Sequence, residues 1–200
     1  MQNPFKRTLI QAFASLLLVF LLLLPSTLSA QEKSSSPRNN IKATLLSLGS
    51  GSTRISYERA LDSAISAEFT VGIIGMGWDI LNHSDPRGFI VKMAPKWNLY
   101  PVGTPNALSG FYFKPELIYA DYTYFCKDNS ISEPQHTRQL ALLAEGGFQI
   151  VAKWFVFDIY TGLGPTVGSG NHNNYYHGFM RFPANGFMAY TAGFRLGVAF

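Results

Sequence analysis

The sequence has one cysteine, few charged residues and a single long apolar run, and each shortage excludes a class of protein. One Cys among 200 residues cannot build a disulfide framework. Charged residues make up 14% of the chain, against about 25% in average proteins. The net charge of +4 is too small and too evenly spread to indicate a nucleic-acid-binding protein. A hydrophobic content of 47% excludes an intrinsically disordered chain.

The one long apolar run lies at the N-terminus and has the order of a secretory signal peptide. Lys6 and Arg7 form a basic start, residues 12–24 are apolar apart from Ser15, and small residues end at Ala30. The apolar core is shorter than the roughly 20 residues of a membrane helix. We therefore expect residues 1–30 to be a signal peptide cleaved after Ala30. The polar residues 31–40 are expected to be a flexible lead-in to a domain spanning 41–200.

The rest of the chain alternates between apolar and polar or small residues, which is the period of a β-strand. The final segment is the clearest, because Phe200, Val198, Leu196, Phe194 and Tyr190 share one face, whereas the other face is mostly small or polar. The same test finds eight strands in all. Their predicted ranges are Ile41–Leu48, Thr53–Ala60, Ala67–Gly77, Phe89–Tyr100, Gly110–Tyr122, Thr137–Ile150, Lys153–Pro165 and Gly186–Phe200.

The connections between these strands are longer at one end than at the other. Asp79–Arg87, Phe125–His136 and Gly168–Asn185 are the long ones, and all three belong to the same end of an up-and-down meander. Long loops at one end and short turns at the other are typical of bacterial outer-membrane barrels. We expect the long loops outside the cell and both ends of the mature chain in the periplasm.

The placement of charge predicts which face meets lipid. Ten charged residues lie within strands on the face opposite the apolar one, five of each sign, as a narrow interior of paired charges requires. The apolar face also ends in aromatic residues, as interfacial girdles do. The prediction is an all-β, eight-stranded antiparallel transmembrane barrel with a plugged polar interior. The interior charges are Arg54, Glu58, Glu68, Lys92, Lys96, Lys114, Glu116, Glu145, Asp158 and Arg195.

Several stretches resemble the small outer-membrane barrels of Bacteroidota, a family without an assigned activity. They are residues 56–61, 92–97, 110–116 and 162–165, and the resemblance spans about 41–200. More loosely, the chain resembles the OmpA-type transmembrane domain. The C-terminal strand is similar to the insertion signal of outer-membrane proteins, with Tyr190, Phe194, Leu196, Val198 and Phe200 as its residues. The resemblance implies a bacterial outer-membrane location, lipid contacts and insertion by the barrel-assembly machinery.

No residue pattern indicates a cofactor, a metal or a catalytic site. All four histidines, His83, His136, His172 and His177, fall in predicted loops and are expected to be solvated. A lipid A-modifying enzyme would need a nucleophilic Ser beside a His and a carboxylate near the lipid interface, and the late strands contain no His. Cys126 is expected in a long loop as an unpaired thiol.

The function expected from the sequence is a non-enzymatic, structural membrane protein whose loops contact envelope partners. Two alternatives stay open: a lipid A deacylase or acyltransferase, and a soluble lipocalin-like carrier with an apolar pocket inside its barrel. Pro95 and Pro115 interrupt two strands on the outward face. Because proline cannot donate to a β-ladder, bulges or strand edges are expected there.

Overall fold

A computed structural model describes residues 37–79, 83–101, 108–126, 134–169, 176–182 and 186–200. The signal peptide, its cleavage site at Ala30 and most of the lead-in predicted from the sequence lie outside these residues. Nine strands and one short 3-10 helix, Leu45–Ser47, are present in the described part of the chain. The strands are β1 (Asn39–Ala43), β2 (Ser50–Ala60), β3 (Ile65–Asp79), β4 (His83–Pro101), β5 (Gly110–Cys126), β6 (Gln135–Ala152), β7 (Phe155–Ser169), β8 (Met180–Phe182) and β9 (Met188–Ala199).

The strands form a closed antiparallel barrel. Each strand from β1 to β6 pairs with the next along the chain, β7 pairs with β9, and β1 closes the barrel by pairing with β9. At the seam, Asn39 and Phe200 exchange two backbone hydrogen bonds of 2.9 Å. The prediction of an eight-stranded antiparallel barrel is thereby confirmed, with β8 as an additional short strand.

β8 was not predicted, and it lies beside β9 where β1 is too short to reach. The predicted first strand, Ile41–Leu48, was too long, because the chain leaves the sheet at Thr44 and forms the 3-10 helix. β9 pairs with β1 through residues 196–199 and with β8 through residues 188–190. The edge of β9 at residues 188–190 is therefore covered by β8, which lies in a region that was predicted to be a loop.

The long strands extend into the regions predicted as loops. β3 ends at Asp79, β4 begins at His83, β5 ends at Cys126 and β6 begins at Gln135. The expectation that His83, Cys126 and His136 belong to loops was therefore wrong, because the ladder continues past the apolar part of each strand. The end of the barrel at which these strands meet is called the mouth end below, and the end containing Asn39 and Phe200 the terminal end.

The two strand prolines interrupt the ladder without shifting it. Between β4 and β5 the register is the same on both sides of the prolines, from Met93↔Leu117 to Trp97↔Phe113, and this register sets Pro95 opposite Pro115. The missing pairs lie between these two points, where neither proline has an N–H to donate. The expected bulges at the prolines are absent, and the β4–β5 irregularities lie instead at Ser84/Arg87 and Asn98/Tyr100.

Candidate functional site

The terminal half of the barrel interior holds a cluster of ionised side chains. All ten charged residues selected from the sequence point inward, and each is less than a tenth exposed. Nine of them, together with Lys42, are joined by ion pairs into one continuous group, which we call the interior ion network. Its members are Lys42, Lys92, Lys96, Lys114, Arg195, Glu58, Glu68, Glu116, Glu145 and Asp158.

Lys42 lies at the centre of this network and connects strands on different sides of the lumen. Its Nζ atom lies 2.9 Å from Glu58 Oε2, 2.5 Å from Glu68 Oε2 and 3.0 Å from Asp158 Oδ2. It also donates to Gln149 Oε1 at 2.7 Å. Since β1, β2, β3, β6 and β7 supply these residues, the contacts of one lysine tie five strands together.

Lys114 and Arg195 join the remaining acids. Arg195 lies 2.6 Å from Glu68 and 3.0 Å from Glu145, while Lys114 pairs with Glu68 and lies 2.9 Å from both Glu116 and Glu145. Five acids and five bases are present, so the network is neutral when every member is ionised. A buried charge is tolerated in a protein only when it is paired in this way.

Tyrosines and glycines alternate across the same interior surface. Tyr112, Gly147, Tyr160 and Gly193 occupy directly paired positions on β5, β6, β7 and β9. A Cβ on Gly147 would lie 2.4 Å from Tyr112 Oη, so only glycine leaves room for that ring. Each of the two rings makes a cation–π contact: Lys96 Nζ lies 4.0 Å from the Tyr112 ring centroid, and Arg195 Cζ lies 3.9 Å from that of Tyr160.

Sequence reasoning missed four residues that belong to this site. Lys42, Gln149, Tyr112 and Tyr160 are all buried among the network residues, and Tyr112 donates to Asp158 at 2.7 Å. Strand alternation already placed Gln149 and the two tyrosines on the inward face. Lys42 alternates in the same way, but its strand was one of the weakest in the sequence.

The mouth half of the interior contains a hydrophobic cluster, a feature that the prediction of a plugged polar interior did not include. Tyr176 and Phe179 are 2% and 1% exposed, and they belong to a hydrophobic cluster with side chains of the barrel wall. His177 is 1% exposed and meets Tyr122 edge-on at 4.7 Å. This part of the predicted outer loop folds inward as a plug, so the expectation of a solvated His177 was wrong. The wall residues of the cluster are Ile74, Ile90, Ile118, Ala120, Tyr122, Tyr124, Ala141, Leu143 and Ala189.

The outer surface of the barrel carries a belt without charged side chains among the described residues. On β5 the outward residues between Gly110 and Asp121 are Phe, Pro, Leu and Tyr, and on β6 the belt runs from Leu140 to Ile150. Eleven residues of strand cover about 36 Å, or about 27 Å along a barrel axis at a tilt of about 40°. The outward charged residues that the structure describes lie at the borders of the belt, with Arg87, Asp121 and Arg138 at the mouth end and Arg38, Arg59 and Lys153 at the terminal end.

Asp121 organises a polar cluster at the mouth-end border of this belt. His136 Nε2 lies 2.7 Å from Asp121 Oδ1, and Arg138 Nε and Tyr119 Oη donate to Oδ2, each at 3.1 Å. Ser169 lies opposite Arg138, and its Oγ accepts a hydrogen bond from the Arg138 backbone N–H at 3.4 Å. No described serine hydroxyl is bonded to His136, so the cluster has an acid and a base but no aligned nucleophile in the described residues.

The residues of the predicted C-terminal insertion signal all lie on the outward face of β9 or directly after it. Tyr190, Val198 and Phe200 are exposed, while Phe194 and Leu196 are half-buried between outward neighbours. The described part of the chain contains no helix long and apolar enough to span a membrane. It also contains no group of three His, Cys, Asp or Glu residues arranged to hold a metal ion.

No protein-family model matches the chain, and neither a curated protein nor a solved structure is similar to it.

Proposed function

We propose that the protein is an outer-membrane β-barrel of a Gram-negative envelope, with a structural, non-enzymatic role. The observation that supports it is the reversed distribution of polarity. Charged side chains occupy the terminal half of the interior while the outward belt is apolar, with Ile73, Leu142, Ile159 and Leu163 each at least half exposed. In water such a belt is unfavourable, because apolar surface of that extent favours association. In hydrocarbon it is the surface that a spanning barrel requires.

The same distribution argues against a lipocalin-like carrier. A carrier of small apolar molecules places its apolar face inward, around an empty pocket. Here the terminal half of the interior is crossed by ion pairs, and the mouth half is occupied by Tyr176 and Phe179. A barrel filled in this way is also expected to be closed to ions. Planar-bilayer recordings of the refolded protein should therefore show no stable large conductance.

Fractionation of the cell envelope tests the membrane proposal. We expect the protein in the outer-membrane fraction, resistant to carbonate extraction, and migrating faster on a gel when it is not boiled, because a folded barrel stays compact in detergent. Leu142→Arg in the middle of the belt should reduce the folded, membrane-inserted fraction, whereas Phe182→Arg at the mouth end serves as the matched control. Full release of the wild-type protein by carbonate would contradict the proposal.

The non-enzymatic role is tested separately, at the acid–histidine pair. Asp121 and His136 are the described groups closest to a catalytic arrangement near a lipid interface. Mass spectrometry of lipid A from cells with and without the gene should give identical profiles. If the gene changes the acylation of lipid A and His136→Ala abolishes that change, the protein is a lipid A-modifying enzyme and the structural role is contradicted. The proposed membrane location would not be affected by this result.

A further inference from the structure

The described interior contains more positive than negative charge. Seven cationic side chains are less than a tenth exposed, and five anionic ones are. The five acids are all members of the interior ion network, where each is already paired. Arg54 and Arg181 lie outside the network and make up the excess of two positive charges.

Arg54 differs from the other six buried cations because the described residues offer it neither an acid nor an aromatic ring. Five cations pair with network acids, and Arg181 lies 5.5 Å from the ring of Tyr176. Among the described residues Arg54 forms no ion pair and no cation–π contact, and its Nε atom, like that of Arg181, is buried without a hydrogen-bond partner. An unpaired charge in a protein interior is unfavourable by several kcal/mol, so this guanidinium requires a counter-charge.

The side chain of Arg54 lies at the border between the two halves of the interior. Gly72 is its partner on β3, and a Cβ there would lie 2.6 Å from Arg54 Cγ and 2.5 Å from Ile90 Cγ2. Ile90 in turn contacts the plug, because a Cβ on Gly178 would lie 2.4 Å from Ile90 Cδ1 and 3.4 Å from Lys92 Cε. The arginine stem therefore lies against Gly72 of β3, near Ile90, which itself contacts the plug at Gly178.

We propose that Arg54 binds an oxyanion, a carboxylate or phosphate group, inside the barrel. A guanidinium presents its N–H donors in a planar fork that matches these groups better than a spherical ion. Ser52 and Ser56 flank Arg54 on the same inward face of β2 and are fully buried, with their hydroxyls bonded to the Ser47 carbonyl and to the Thr70 hydroxyl. The proposal depends on the interior alone and not on the membrane location.

The test measures stability against the anion present. The protein is refolded in non-ionic detergent while sodium chloride is replaced by sodium phosphate or sodium acetate at constant ionic strength. We expect both oxyanions to raise the unfolding midpoint of the wild type and of Arg59→Met, an outward arginine on the same strand. Arg54→Met should show no such increase. A wild-type midpoint that is the same in all three salts, or an increase that persists in Arg54→Met, would overturn the proposal.

Two further measurements are planned. One replaces the stability test if Arg54→Met does not refold, and the other distinguishes a free anion from a lipid-borne one. If Arg54→Met does not refold, ³¹P line broadening of phosphate is compared between wild type and Arg54→Lys, which keeps the charge but loses the fork. Broadening that is weaker in the lysine variant supports the proposal, and equal broadening contradicts it. Dodecanoate in the same micelles distinguishes the sources, because stabilisation beyond that by acetate indicates a lipid-borne carboxylate and equal stabilisation a free anion.

Discussion

Glu116 is, with Glu58, one of two network acids that are the sole described ion-pair partner of a buried lysine, so its replacement should destabilise the barrel strongly. Its carboxylate lies 2.8 Å from Lys92 Nζ and 2.9 Å from Lys114 Nζ. Lys114 keeps Glu68 and Glu145 as partners, but Lys92 has no other acid within ion-pair distance among the described residues. Glu116→Gln preserves the volume of the side chain and leaves one buried ammonium unpaired.

The expected loss in the free energy of unfolding depends on whether the replaced acid leaves a buried cation without an ion-pair partner. Breaking a buried ion pair by removing one partner costs about 3–5 kcal/mol. Glu116→Gln should lie near the upper end of this range because Lys92 is stranded. Glu68→Gln should lie near the lower end, since all three of its cations, Lys42, Lys114 and Arg195, keep other acids. Adding Lys92→Met to Glu116→Gln removes the stranded charge and should recover part of the loss.

Urea unfolding in lipid vesicles, followed by tryptophan fluorescence, measures these free energies of unfolding. Asp62→Asn, in the exposed turn between β2 and β3, is the control and should change the free energy of unfolding by no more than about 0.5 kcal/mol. The reasoning would be refuted if Glu116→Gln cost no more than Asp62→Asn, or if the double variant were less stable than Glu116→Gln alone.

Three further predictions concern the belt, the tyrosine row and the plug. In vesicles, Leu142→Arg should lower the free energy of unfolding by about 2–4 kcal/mol and Trp154→Arg, at the terminal end, by about 0–1 kcal/mol; equal losses would contradict a hydrocarbon surround. Tyr112→Phe leaves Asp158 without one buried donor and should cost about 1–3 kcal/mol in the same urea titration, and an unchanged midpoint would remove that hydrogen bond from the account. Phe179→Ala opens a cavity in the mouth half and should cost about 3–5 kcal/mol, whereas a loss below 1 kcal/mol would mean that the plug is not packed in solution.

Much of the wall could be predicted because strand alternation depends only on neighbouring residues. Inward and outward positions were assigned correctly along most of β4 to β7 and β9, since a two-residue period leaves no ambiguity once one charged position is known. The strands from β3 to β7 were predicted too short at the mouth end. Beyond the apolar belt the outward residues become polar, as at Arg138 and His136, and the pattern that marked the strand disappears although the ladder continues.

The plug and the unpaired arginine could not be predicted because they depend on contacts distant in the sequence. Tyr176, His177 and Phe179 follow a run of Asn and His, which indicates a solvated loop when read locally. Their burial depends on Ile90, Ile118 and Tyr122, on strands more than fifty residues earlier. The five acids and five bases predicted for the interior likewise suggested that every charge was paired. The distances show that Lys42, and not Arg54, is the fifth base of the ion network.

The central claim is that hydrocarbon surrounds the outward belt, and spin-label accessibility tests it most directly. Labels are placed at Leu142 and Ile159 in the belt and at Phe182 at the mouth end, with the protein reconstituted into phospholipid vesicles. We predict that the two belt labels collide with dissolved oxygen more often than with a water-soluble nickel chelate, and that Phe182 shows the opposite preference. Nickel accessibility at Leu142 and Ile159 as high as at Phe182 would contradict the claim.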